Sequence, residues 1–197
     1  QDKKKAFEWY EKAASQGFAK AQFSLGLMYE NGRGVEKDSK KAFEWYEKAA
    51  SQGFADAQYN LGIMYDVGEG VKKDIKKAFE WYEKAASQGL AEAQFSLGFM
   101  YYDRIGVKKD IKKAIEWYEK AASQGFADAQ YNLGIMYDVG EGVKKDIKKA
   151  FEWYEKAASQ GLAEAQFSLG FMYYDRIGVK KDIKKAIEWY EKAASQG

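Results

Sequence analysis

The residues able to do chemistry in this chain are carboxylates, phenols, lysines and serines, because it has no histidine and no cysteine. That absence removes the commonest general base, the commonest metal ligand, the thiolate nucleophile and any disulfide framework. Paired carboxylates can hydrolyse glycosides. Here, however, Asp66 and Glu69 flank a loop and Asp74 reads as a helix cap, and no spacing brings two acids into a closed, water-excluded cleft. Ser51 and Ser87 recur near helix ends with no imidazole to activate them. The glycines of YENGRGV (residues 29–35) suggest a phosphate loop, yet the lysine-plus-hydroxyl motif and the preceding strand are both missing. Lys72, Lys73, Lys76 and Lys77 could meet phosphates, but Asp74, Glu80 and Glu83 are interleaved with them. This blunts the gain from counterion release and reads as a solvated helix face. The chemistry left is that of recognition: aromatic rings, which make up 17% of the chain, beside acids. No enzyme activity, metal or cofactor is expected.

These side chains are positioned by a repeat. Trp9, Trp45, Trp81, Trp117, Trp153 and Trp189 are each 36 residues apart, a period that means stacked supersecondary units. In the unit Phe54–Gly89, Ala57, Leu61, Met64 and Tyr65 stand at i, i+4, i+7 and i+8 and predict a helix from Ala55 to about Val67. Asp56 suits its positive end. Gly62 interrupts its interior at a cost of roughly 1 kcal/mol, which implies close approach by a neighbouring helix. Gly68-Glu69-Gly70 stops this helix. Val71 anchors the loop, and Asp74 caps a second helix that ends at Gly89. That helix carries Ala78, Phe79, Trp81, Tyr82, Ala85 and Ala86, with Glu80 and Lys84 in the favourable i, i+4 order on its wet side. A hairpin with apolar residues on more than one face has to stack to bury them. Residues 1–197 are read as one all-α repeat domain of about eleven helices. It comprises a half repeat at 1–17 and full repeats at 18–53, 54–89, 90–125, 126–161 and 162–197.

One unit, with Ala21, Leu25, Gly26, Tyr29, Gly32, Gly34, Val35, Asp38, Ala42, Trp45, Ala49, Ala50 and Gly53, resembles the Sel-one-like repeat (SLR). This is a relative of the tetratricopeptide repeat, and the resemblance covers essentially the whole chain. It implies a right-handed α/α superhelical solenoid that acts as a scaffold or adaptor. A cysteine-rich bacterial branch of that family is linked with β-lactam binding, which is not carried over to a chain without cysteine. If the stacking follows the tetratricopeptide relative, the first helix of each hairpin lines a concave surface. Asp56, Tyr59, Ile63 and Asp66 would then face the groove, becoming Glu92, Phe95, Phe99 and Tyr102 in the next unit. Asp128, Tyr131, Ile135, Phe167 and Phe171 continue the stripe. Aromatic contact area beside acids favours a basic or amide-rich peptide. The competing reading is that Tyr59 and Phe95 only fill space between hairpins. One departure from the family pattern is that Arg104 and Arg176 replace the first loop glycine in alternate units. Either the helix ends differently there or the loop is strained.

Residues 54–125 and 126–197 are one 72-residue string written twice. The alternation of Ile63 and Phe79 with Phe99 and Ile115 keeps total volume, as compensated packing requires. Identity that extends to the surface positions implies a very recent duplication or deliberate construction. An engineered, consensus-type scaffold is the favoured expectation, with a natural bacterial SLR adaptor as the alternative. The net charge of +2 gives no argument for a nucleic-acid or membrane partner. No apolar run approaches the ~18 residues of a membrane span, and no segment reads as a signal peptide, so the cytoplasm is favoured. Both ends are second-type helices without a polar cap, and end-to-end self-association of an otherwise monomeric chain is a further expectation.

Overall fold

The computed structural model describes residues 2–196. Among these residues there are eleven α-helices and no strand. They are α1 (Asp2–Ser15), α2 (Ala19–Asn31), α3 (Ser39–Ser51), α4 (Ala55–Val67), α5 (Ile75–Ser87), α6 (Ala91–Asp103), α7 (Ile111–Ser123), α8 (Ala127–Val139), α9 (Ile147–Ser159), α10 (Ala163–Asp175) and α11 (Ile183–Ala194). The chain divides into two compact units, Gln1–Met100 with Ile105–Lys108, and Tyr101–Arg104 with Lys109–Gly197. In the first, α2–α3 and α4–α5 are hairpins, α1 lies on α2, and α3 lies on α4. In the second, α8–α9 and α10–α11 are hairpins, α7 lies on α8, and α9 lies on α10.

Each hairpin closes around a glycine and a tyrosine. A Cβ placed on Gly62 would stand 2.5 Å from the Cδ1 and Cε1 of Tyr82, so only glycine lets the second-helix ring lie flat against the first helix. Tyr82 and Leu61 are buried in consequence. Between hairpins the seam is made of small side chains, with Ala49, Ala50, Ala57 and Leu61 in one cluster with Tyr46 and Met64. Asp74 caps α5 as expected, its carboxylate accepting from the Lys77 backbone N–H.

The tryptophans are not the core. Trp45 and Trp81 are half-buried at its rim, and a lysine one turn on covers the outer ring face. The Lys84 Nζ lies 3.9 Å from the Trp81 ring centroid, and the Lys48 Nζ 4.0 Å from that of Trp45. Lys84, expected opposite Glu80, thus goes to a partly desolvated ring, a better partner for an ammonium than an exposed carboxylate.

The arginine loops resolve the choice left open by the sequence. α4 ends at Gly68 with φ +81°, its N–H donating to the Met64 carbonyl. α10 ends in the same way at Arg176, with φ +61° and its N–H on the Met172 carbonyl, and Arg104 has φ +62°. The helix end is kept, and the arginine takes the left-handed backbone that costs an L-residue roughly 1–2 kcal/mol.

Candidate functional site

The first helices of the hairpins carry the expected stripe. On α4, Asp56 and Ile63 are exposed while Tyr59 and Asp66 are half-buried. On α6, Glu92 and Phe99 are exposed while Phe95 and Tyr102 are half-buried. Asp128 is exposed on α8, with Tyr131 and Ile135 half-buried, and Phe167 and Phe171 are exposed on α10. The opposite face of each helix holds the buried alanine, leucine and methionine. That division is what an amphipathic period of 3.6 produces.

The half-buried rings rest on the tyrosines of their own hairpins. Tyr59 lies tilted on Tyr82 with centroids 5.5 Å apart, and Tyr131 on Tyr154 at 5.6 Å. Gly62, Tyr82 and Tyr59 therefore form a short column running from the hairpin seam to the surface. Packing between helices accounts for one face of Tyr59, and its outer edge remains accessible. Burial pushes the Tyr59 phenol above its ordinary range, while a side-chain hydrogen bond with Ser96 acts the other way. Burial also raises Tyr82, and the carboxylate of Asp66 adds to the effect.

The structure brings Asp66, Phe95 and Phe99 together. With Tyr82, Ser96, Met100 and Ile105 they line a cleft of about 100 Å³. In the second unit Tyr131 and Phe167 line a cavity of about 690 Å³ with Glu164 and Tyr190. Asp56 and Ile63 lie on the same helix face but line neither space. Tyr102 is engaged elsewhere: its hydroxyl donates to Glu141 Oε2 at 2.8 Å, and Lys109 sits over its ring at 4.8 Å. Among the described residues no group of three or more acids is placed to hold a metal ion. The arrangement offers flat aromatic area, one carboxylate and hydroxyls at a shallow surface, which suits contact rather than bond-breaking.

Two polar features escape a reading of the sequence alone. Gln58 is buried, and its Nε2 donates to the Ala50 carbonyl of the preceding hairpin at 3.2 Å. Its Oε1 accepts from Gln88 Nε2 at 2.7 Å. Gln22 with Ala14 and Gln52, and Gln130 with Ala122 and Gln160, repeat the arrangement. The available signal was a glutamine three residues before the core leucine, on the apolar face. The second feature is Glu69, whose carboxylate accepts from Ser39 Oγ at 2.7 Å and stands 3.5 Å from Lys37 Nζ. Those two partners, the hydroxyl first, hold its carboxyl below the usual range.

The Sel1 repeat model matches residues 1–18, 19–54, 55–90, 91–126, 127–162 and 163–197. The chain belongs to the Sel1 repeat family. Among solved structures, this Sel1 repeat chain is similar to a protective antigen present in uropathogenic Escherichia coli strains, which displays an SLR fold. The identity is 42% and the TM-score 0.93, over 98% of this chain and 41% of that one. The chain thus spans less than half the length of that antigen. A Sel1 repeat protein from Oxalobacter formigenes is 39% identical with TM-score 0.93, over 99% of this chain and 78% of that one. Cysteine rich protein B of Helicobacter pylori is 33% identical with TM-score 0.52, over 65% and 92% of the two chains. No curated protein matches. Sel1 repeat proteins generally mediate protein–protein interactions, and the all-α fold of this chain is theirs. Among the described residues no helix is long and apolar enough to cross a membrane.

Proposed function

We propose that this Sel1 repeat chain is a non-enzymatic scaffold, one repeat domain throughout, that binds a protein or peptide along the stripe of its first helices. The observation that carries this reading is the meeting of Asp66, Phe95 and Phe99 at one cleft. A basic or amide side chain of a partner could lay its stem on the rings and its polar end on the carboxylate. Asp56, Tyr59, Ile63 and Glu92 extend the contact along α4 and α6, and Asp128, Tyr131, Ile135, Phe167 and Phe171 offer a surface of the same kind on α8 and α10 of the second unit.

The test is selection of peptides from a random displayed library, followed by titration of the selected peptide. Phe99→Ser and Asp66→Asn should each weaken binding at least tenfold, as should Tyr59, Phe95 and Tyr131→Ala together. Far-UV circular dichroism checks that helix content is retained. Unchanged affinity in all three variants would place the site elsewhere and defeat the reading.

The identity of residues 54–125 with 126–197, surface positions included, supports a second reading, that of an engineered or consensus-type chain. Codon usage separates the possibilities. A synthetic gene varies its codons between the copies, whereas a fresh natural duplication keeps them.

A further inference from the structure

The lysines that the sequence interleaves with acids are parted from them in space. Lys72, Lys73, Lys76 and Lys77 line one cavity of about 660 Å³, and neither Glu80 nor Glu83 is on its wall. Asp74 is, but its Oδ1 accepts from the Lys77 backbone N–H at 3.1 Å and is held to the helix end. The Lys77 ammonium leans on the Tyr65 ring, 5.2 Å from its centroid. Among the described residues Lys72, Lys73 and Lys76 enter no ion pair.

The acid missing from this cavity is present one repeat earlier. There the Glu69 carboxylate accepts from Ser39 Oγ at 2.7 Å and stands 3.5 Å from Lys37 Nζ. Moving on by 36 residues, Lys37 becomes Lys73, Ser39 becomes Ile75 and Glu69 becomes Ile105. The register is kept, since Gly106 abuts Ile75 as Gly70 abuts Ser39. The lysine thus stays while its acid gives way to an alkyl chain. The following loop restores the acid, with Glu141 Oε1 at 3.6 Å from Lys109 Nζ. The loop after that removes it again: Lys145 and Ile177 hold the two positions, and Gly178 abuts Ile147. The 72-residue period is therefore also a period of charge, in which alternate loops bring their own glutamate or bring none.

We infer that the cavity at Lys73 is a docking site for an acidic peptide segment of a partner protein, whose carboxylate takes the place that Glu69 holds at Lys37. Lys72 and Lys76 meet further carboxylates along the rim. Val71, Ile75 and Ile105, all half-buried, form an apolar floor for an alkyl side chain between those acids. Opposite charges at the rim steer the approach and fix the register. The floor favours a peptide over a nucleic acid, whose phosphate backbone has no side chain to lay on it. The site shares only Ile105 with the cleft at Asp66. The second unit has the same parts at Lys144, Lys145, Lys148, Ile147 and Ile177.

The test is fluorescence anisotropy of a labelled peptide of alternating glutamate and leucine, titrated with the full chain. Binding should saturate, weaken with added salt, and vanish for the same peptide with glutamine in place of glutamate. Because the copies are identical, both are changed together. Lys73→Ala with Lys145→Ala should weaken binding at least tenfold. Ile105→Glu with Ile177→Glu, which supplies from within the chain the carboxylate that Glu69 supplies to Lys37, should do the same. Ser87→Glu with Ser159→Glu adds equal charge at exposed positions outside the cavity and should bind as wild type does. Circular dichroism checks that each variant keeps its helix content. Three results would each overturn the inference. One is no binding by wild type, and another is equal loss in the serine variant, which would mean that net charge alone decides. The third is tighter binding of a single-stranded oligonucleotide than of the peptide. The four lysines do not line the cleft at Asp66, so failure here leaves peptide binding at the first-helix stripe standing, and the converse holds.

Discussion

Replacing Arg176 by glycine should stabilise the protein, although it deletes a charged side chain and creates no new contact. Arg176 holds φ +61° and ψ +32°, with its N–H closing α10 on the Met172 carbonyl. The left-handed backbone costs an L-residue roughly 1–2 kcal/mol, and glycine gives back about 0.5–1 kcal/mol through the entropy of the unfolded chain. The net gain is about 0.5–1 kcal/mol. Arg176→Ala separates backbone from side chain, because it removes the guanidinium but keeps the Cβ. Its stability should stay within about 0.5 kcal/mol of the parent. Arg176→Asn should fall between the two, since asparagine visits this region more readily. Urea unfolding followed by circular dichroism gives the comparison, with hydrogen exchange in α10 and α11 beside it, because stacked repeats need not unfold in one step. If alanine gains as much as glycine, or glycine loses stability, the strain argument is wrong. The reverse change should cost stability: Gly140→Ala puts a Cβ at φ +79° and 3.1 Å from the Lys145 Cβ.

Two further outcomes follow from the buried polar groups. Gln58→Met keeps the volume but removes the bonds to Ala50 and Gln88, and should cost about 1–3 kcal/mol by thermal or urea unfolding. Adding Gln88→Ala should then cost little more, because the two share one interaction; full additivity would contradict the coupling. Alkaline pH should unfold the protein. Burial first, then neighbouring carboxylates, raise the phenols of Tyr46, Tyr82 and Tyr154 above the ordinary value of 10.0. The folded state therefore keeps protons that the unfolded state releases. This stabilisation is complete below about pH 10 and is lost as pH rises above it. Tyrosinate absorbance for these residues should appear late and together with loss of helix. Early titration with the helices intact would refute the burial argument.

The hairpins were legible because they depend on local chemistry. Asp74, the Gly68 stop and the 3.6 period placed α4 at Ala55–Val67 as found, and Gly62 announced a close approach whose partner proved to be Tyr82. What stayed hidden depends on residues from other repeats. Gln58 looks like a polar intrusion on an apolar face until the Ala50 carbonyl and Gln88 are beside it. Tyr102 belongs to the stripe by spacing, yet Glu141, from the loop of the following hairpin, takes its hydroxyl. The cleft at Asp66 needs Phe95 and Phe99 from the next first helix, so only stacking reveals it. Arg104 and Arg176 marked a departure whose outcome depended on whether the helix end or the arginine's backbone preference yielded, and it was the arginine that yielded, taking the left-handed conformation.

The glutamine clasp bears on how such a chain can change its length. Each hairpin grips its predecessor through a main-chain carbonyl, as Gln58 does at Ala50 and Gln130 at Ala122, and every residue type has a carbonyl. The clasp itself does not read which hairpin stands before it. Unequal crossing-over that adds or removes a whole repeat would leave the clasp at every surviving joint with its bond to a main-chain carbonyl. The outward stripe, which has no part in that grip, is left free to diversify.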